Sequence, residues 1–94
     1  MIANVVTGRV NPNADEGAIR ERLIPAFQQA RGDQGGYWLR QPGSDEVLAV
    51  ALWESEDALR AALSDPKVQE ATAHTSSMFV GGPQIAVYRL VAQG

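Results

Sequence analysis

The sequence predicts an α+β fold of ferredoxin-like β-α-β-β-α-β order, with one four-stranded antiparallel sheet and the helices on one face. Three observations predict it. The apolar run Val47–Trp53 switches at Glu54-Ser55 into helical spacing. Valine-rich or aromatic segments at 2–10, 37–41 and 84–92 alternate with helical patterns. The candidate strands are apolar on both faces rather than on one.

The elements follow in chain order. Ile2–Val10 lacks strong breakers and reads as a first strand. Asn11-Pro12-Asn13 is a turn signal, and Asn13 with Glu16 has capping-box spacing. A helix is predicted from there to about Arg31, with Ile19, Leu23, Phe27 and Ala30 on one face and Pro25 kinking or splitting it. Gly32-Asp33 and Gly35-Gly36 end that segment, and Tyr37–Gln41 forms a short second strand. Pro42-Gly43 suits the centre of a tight turn, so the strand at 46–53 returns antiparallel.

Ser55 is placed to cap the next helix, with Glu56 and Asp57 at the positive end of its dipole. Ala58, Leu59, Ala62 and Leu63 make its apolar stripe. Asp65 caps a third helix, opened by Pro66 and running to roughly Ser76. Gly81-Gly82-Pro83 breaks the chain before the last strand, 84–92.

At 94 residues the chain makes one domain, 1–94, with 45% apolar and 20% charged residues, which is ordinary for a globular protein. Without cysteine there is no disulfide, thiolate metal site or thiol nucleophile. The net charge of −3 offers no basic patch for a phosphate backbone, so no nucleic-acid partner is expected. No apolar run approaches the ~20 residues of a membrane span, and MIANVVTGRV lacks the pattern of a signal peptide. No membrane partner is expected, and a cytoplasmic location follows by default.

Helices on one face leave the other face of a doubly apolar sheet bare. Such a patch exceeds what a monomer normally leaves in water. A second copy packed sheet to sheet about a two-fold axis covers it, so a homodimer is expected.

The string Leu52-Trp53-Glu54-Ser55-Glu56-Asp57-Ala58-Leu59 resembles the strand-to-helix junction of the antibiotic biosynthesis monooxygenase family of dimeric α+β barrels. Gly36-Tyr37, the Pro42-Gly43 hairpin and Asp65-Pro66 support it, and the element order extends the likeness over nearly the whole chain. The resemblance implies a pocket between sheet and helices in each subunit. It also implies oxygenation of a phenolic, polyketide-like substrate with no metal or flavin cofactor. The haem-degrading branch of the family uses a first-strand asparagine, a helical tryptophan and a histidine ligand. Here the aligned positions fall near Val6 or Thr7, at Ala62 and at Ala71, so haem chemistry is not expected.

Within that frame Asn4 and His74 are the candidate catalytic residues. Histidine is the side chain most often used as a general base, here toward a phenol, and Asn4 is a polar residue on an apolar strand. Phe27, Trp53, Leu63, Met78 and Phe79 are the candidate substrate-binding residues. No carboxylate or second histidine stands at ligand spacing from His74, so no metal site is expected. Trp38 reads as a residue of the subunit interface, and Arg40 and Arg89 as rim ion-pair residues. The sequence leaves two functions open. One is a cofactor-independent monooxygenase acting on an aromatic or polyketide-like molecule. The other is a non-catalytic dimeric module that binds a small hydrophobic ligand.

Overall fold

The computed structural model describes residues 1–94. Its strands are β1 (Ile2–Arg9), β2 (Asp33–Arg40), β3 (Glu46–Trp53) and β4 (Gln84–Arg89). They form one antiparallel sheet in the order β2-β3-β1-β4, the ferredoxin-like arrangement the sequence predicts. The helices are α1, made of a π-helical turn Ile19–Leu23 and an α-helical part Ile24–Gln28, then α2 (Glu56–Leu63) and α3 (Pro66–Ser76). None is long and apolar enough to cross a membrane.

Local chemistry explains most boundaries. Ser55 Oγ accepts the Ala58 N–H at 3.1 Å and starts α2. Asp65 Oδ1 accepts the Lys67 N–H at 2.8 Å and starts α3, with Pro66 in the first turn. In the β2–β3 hairpin the Ser44 N–H reaches the Gln41 carbonyl at 3.1 Å, and Gly43 takes φ +72°. Those are the features of a tight turn with proline second and glycine third.

Pro25 splits α1, as its position implies. It cannot donate a backbone hydrogen bond. Just before it the Ile24 N–H reaches back five residues to the Ile19 carbonyl, so a wide turn precedes the α-helical part.

Two expectations are corrected here. Asn13 and Glu16 do not form a capping box. Asp15 takes the capping role through the Gly17 N–H at 3.0 Å, and the Glu16 carboxylate is engaged elsewhere. Gly32–Gly36 does not simply end the first helix. Most of it belongs to β2, which begins at Asp33 and carries an irregularity between Asp33 and Gly36.

Strand pairing sorts the side chains, because directly paired residues share a face. The helix-covered face has Ile2 beside Trp53 at one end and Gly8 beside Val47 at the other. Two rows lie between, Gly36–Ala51–Asn4–Val87 and Trp38–Ala49–Val6–Ile85. The core divides accordingly. One cluster joins Ile2, Trp53, Leu59 and Ala62, with Phe27 edge-on to Trp53 at 5.4 Å between ring centres. The other joins Val10, Val47 and Phe79, with Trp38 edge-on to Phe79 at 6.0 Å. Large side chains thus prop the helices off the sheet at both ends. Gly36, Ala51 and Ala49 leave space in the middle.

Candidate functional site

That space is a cavity of about 660 Å³ between the sheet and helices α1 and α3. Its floor is Asn4, Val6, Gly36, Ala49 and Ala51. Ile19, Leu23, Ile24 and Phe27 form the wall from α1, and the wide π turn sets Ile19, Leu23 and Ile24 on one side of the helix. Helix α3 contributes Gln69, Thr72 and Ser76, which recur at helical spacing. Ile85 and Val87 line the side next to β4 and are 62% and 51% exposed, so the cavity opens there.

The candidate residues separate into two groups. Asn4, Phe27, Leu63 and Phe79 all line the cavity. His74, Trp53 and Met78 do not. His74 lies on the solvent side of α3 and is exposed, because the neighbours that face inward are Ala71 and Thr75. Trp53 is 1% exposed and belongs to the core cluster behind Phe27. Met78, at 7% exposure, is also core. The site expected of His74, Trp53 and Met78 is therefore corrected. Ala62 and Ala71, at the positions the haem-degrading branch gives to tryptophan and histidine, are buried core residues outside the lining. No group of three or more His, Asp or Glu side chains is placed to hold a metal ion.

Trp38 is the residue that sequence reasoning misplaced. It lines the cavity rather than the open face of the sheet. Its indole N–H donates to Glu16 Oε2 at 2.6 Å, the other Glu16 oxygen pairs with Arg40, and Arg40 also reaches Asp45 at 3.5 Å. Glu16 therefore ties the chain before α1 to β2 and holds the indole as an aromatic wall with no free donor. Arg40 makes the ion pair read from sequence, with 36% of its side chain exposed.

Several polar lining groups also escaped the sequence reading. Gln28, on α1, and Ser76, on α3, face the cavity beside Asn4, and none of these three side chains bonds to protein through its amide or hydroxyl. Gln69 is partly occupied, its amide donating to the Leu63 carbonyl at 3.0 Å. The α3 pattern Gln69, Thr72, Ser76 was a readable signal, since it sets hydroxyl and amide groups along one stripe of a helix with little apolar content.

Solved structures share this architecture. SnoaB, a cofactor-independent oxygenase from Streptomyces nogalater, superposes with a TM-score of 0.80 at 17% identity, covering 98% of this chain and 94% of that one. A protein assigned as an antibiotic biosynthesis monooxygenase from Bordetella bronchiseptica gives 0.79 at 24% identity, covering 97% of each chain. Rv0793 from Mycobacterium tuberculosis gives 0.75 at 15% identity, with 98% and 96% covered. No protein-family model matches the sequence, and none of the curated proteins does. The chain has the α+β fold of the antibiotic biosynthesis monooxygenases, as its Trp53-Glu54-Ser55 junction implied.

Proposed function

We propose that the protein binds a flat aromatic or polyketide-like molecule in this cavity and oxidises it with molecular oxygen, without a metal or flavin. The observation that carries the reading is Asn4, an amide with no protein partner on the otherwise apolar floor of the cavity. The shared fold with SnoaB supports it. For an anthrone-like substrate the chemistry balances without an external reductant. The ring methylene becomes a carbonyl, one oxygen atom is retained, and the other leaves as water with the two methylene hydrogens.

The chain's part is to hold and to shield. Trp38, Phe27 and Phe79 offer aromatic edges and faces to a planar ring, while Gly36, Ala49 and Ala51 leave the floor free for it. The Asn4 amide can donate to a substrate oxygen as negative charge builds there on ionisation, which favours the electron-rich form that reacts with oxygen.

The test is oxygen consumption with an anthrone-like substrate. Asn4→Ala is expected to lower turnover on the order of 10²-fold through lost orientation and charge stabilisation. His74→Ala, in solvent, is expected to leave it unchanged. A His74→Ala loss as large as that of Asn4→Ala would overturn this assignment. A second reading, a binding module without catalysis, is favoured by one observation: no lysine, arginine or histidine lines the cavity, and its one carboxylate is Asp33, next to the β2 irregularity. Tight binding of the ring with no oxygen uptake above the buffer rate would decide for it.

We further propose that a second copy covers the open face of the sheet. That face presents Tyr37, Leu39, Leu48 and Tyr88 at 62%, 51%, 41% and 57% exposure. A stable sheet-to-sheet dimer would bury on the order of 2,000 Å² in total. Sedimentation at micromolar concentration should report a dimer, and Leu48→Arg, a charge in the middle of the patch, should give monomers. A wild-type monomer at that concentration ends the idea.

A further inference from the structure

The electrostatics of the cavity narrow its ligand. Of the 25 residues that line it, Asp33 is the only charged one. None of the eight Lys and Arg residues is among them, and the one histidine is in solvent. Arg40 is bound up with Glu16 and Asp45 on the far side of Trp38. The free side-chain groups on Asn4, Gln28 and Ser76 are all neutral. A carboxylate or phosphate placed here would lose water and gain no cation, with an aspartate nearby. Carbonyl and hydroxyl groups would be matched by an amide on the floor, an amide on the α1 wall and a hydroxyl on the α3 wall.

We infer that the cavity takes ring compounds whose oxygen substituents are carbonyls and hydroxyls and rejects the same ring system bearing a carboxylate. The inference rests on the reading of the cavity as a ligand site. Desolvating an unpaired anion is among the larger costs a protein site can impose. Even in a cavity open on one side, the penalty should weaken binding of the acid roughly 30-fold or more.

Equilibrium binding of a dihydroxyanthraquinone and of its carboxylic acid at neutral pH, followed by tryptophan fluorescence, tests this. The neutral ring should bind the wild-type protein at least ~30-fold tighter than the acid. Gln28→Lys supplies the missing cation from the exposed rim of α1, where lysine is easily housed. It should narrow the gap by roughly tenfold, as a charge-assisted contact would. Ala49→Phe fills the space over the floor and should abolish binding of both. The inference is overturned if the acid binds wild type within about threefold of the neutral ring while Ala49→Phe still blocks both. If the neutral ring does not bind, or binds Ala49→Phe as well as wild type, the cavity is not the ligand site and the underlying reading fails instead.

Discussion

Trp53→Ala should lower the unfolding free energy by about 4 kcal/mol, the middle of the range for deleting a buried aromatic. Trp53 is 1% exposed and touches Ile2, Leu59, Ala62 and Phe27, so its removal empties the centre of one of the two core clusters. Small domains have only about 5–15 kcal/mol to lose, so a domain near the bottom of that range would keep only about 1 kcal/mol. Phe27 also lines the cavity, so its wall would loosen with it. The matching variant gives the opposite outcome. The indole N–H of Trp53 is buried and donates to nothing. Trp53→Phe removes that uncompensated group, which offsets part of the lost volume, and should stay within about 1 kcal/mol of wild type. Urea denaturation with an unchanged slope would measure both. A loss below about 1.5 kcal/mol for the alanine variant would mean that Trp53 does not anchor the helices to the sheet.

Gly36→Ala should cost on the order of 3 kcal/mol, at the high end for overpacking. A β-carbon at Gly36 would overlap the carbonyl oxygen of Val50 and come within 3.1 Å of Ala51 Cα. Both are backbone atoms of β3, so no side chain can turn aside and the strands must separate. Gly35 is the control. It has φ +89° but open space around a β-carbon, so Gly35→Ala carries only the backbone strain of about 1–2 kcal/mol. The order of the two midpoints is the result to watch. Gly35→Ala falling below Gly36→Ala would show that β2 can leave β3 at little cost.

Much of the fold was legible because local rules and global packing agreed. Val47–Trp53, followed by Ser55 at a capping position, read as an apolar strand feeding a helix, and β3 and α2 lie there. Asp65-Pro66 placed the start of α3 correctly to the residue. The capping-box spacing of Asn13 and Glu16 misled, because a carboxylate that can reach an indole N–H and a guanidinium across the sheet has better partners than a backbone amide.

Of the residues that line the cavity, Asn4 was singled out as a polar residue on an apolar strand and Phe27 and Leu63 fell on the apolar stripes of their helices, while Trp38 was assigned to the wrong face. Its side was nonetheless implicit in the hairpin. The turn at Gln41–Ser44 pairs Arg40 with Val47 and hence Trp38 with Ala49, on the face of Trp53. His74 failed for a different reason. Its chemistry suited a base, but on α3 the inward stripe is Val68, Ala71 and Thr75, the cavity side holds Gln69, Thr72 and Ser76 just after it, and His74, just before Thr75, points to water.

By itself the sequence determined the order and nature of the elements, the antiparallel hairpin and the excess of apolar strand surface. Those properties follow from contacts within a few residues and from periodicity. Only the tertiary structure decided that large side chains would gather at both ends of the sheet and small ones over its middle. The same packing left a cavity lined by neutral groups apart from Asp33, with the chain's only histidine outside. That arrangement depends on the register of four strands at once and on how far Trp53 and Phe79 hold the helices away, which no single segment encodes.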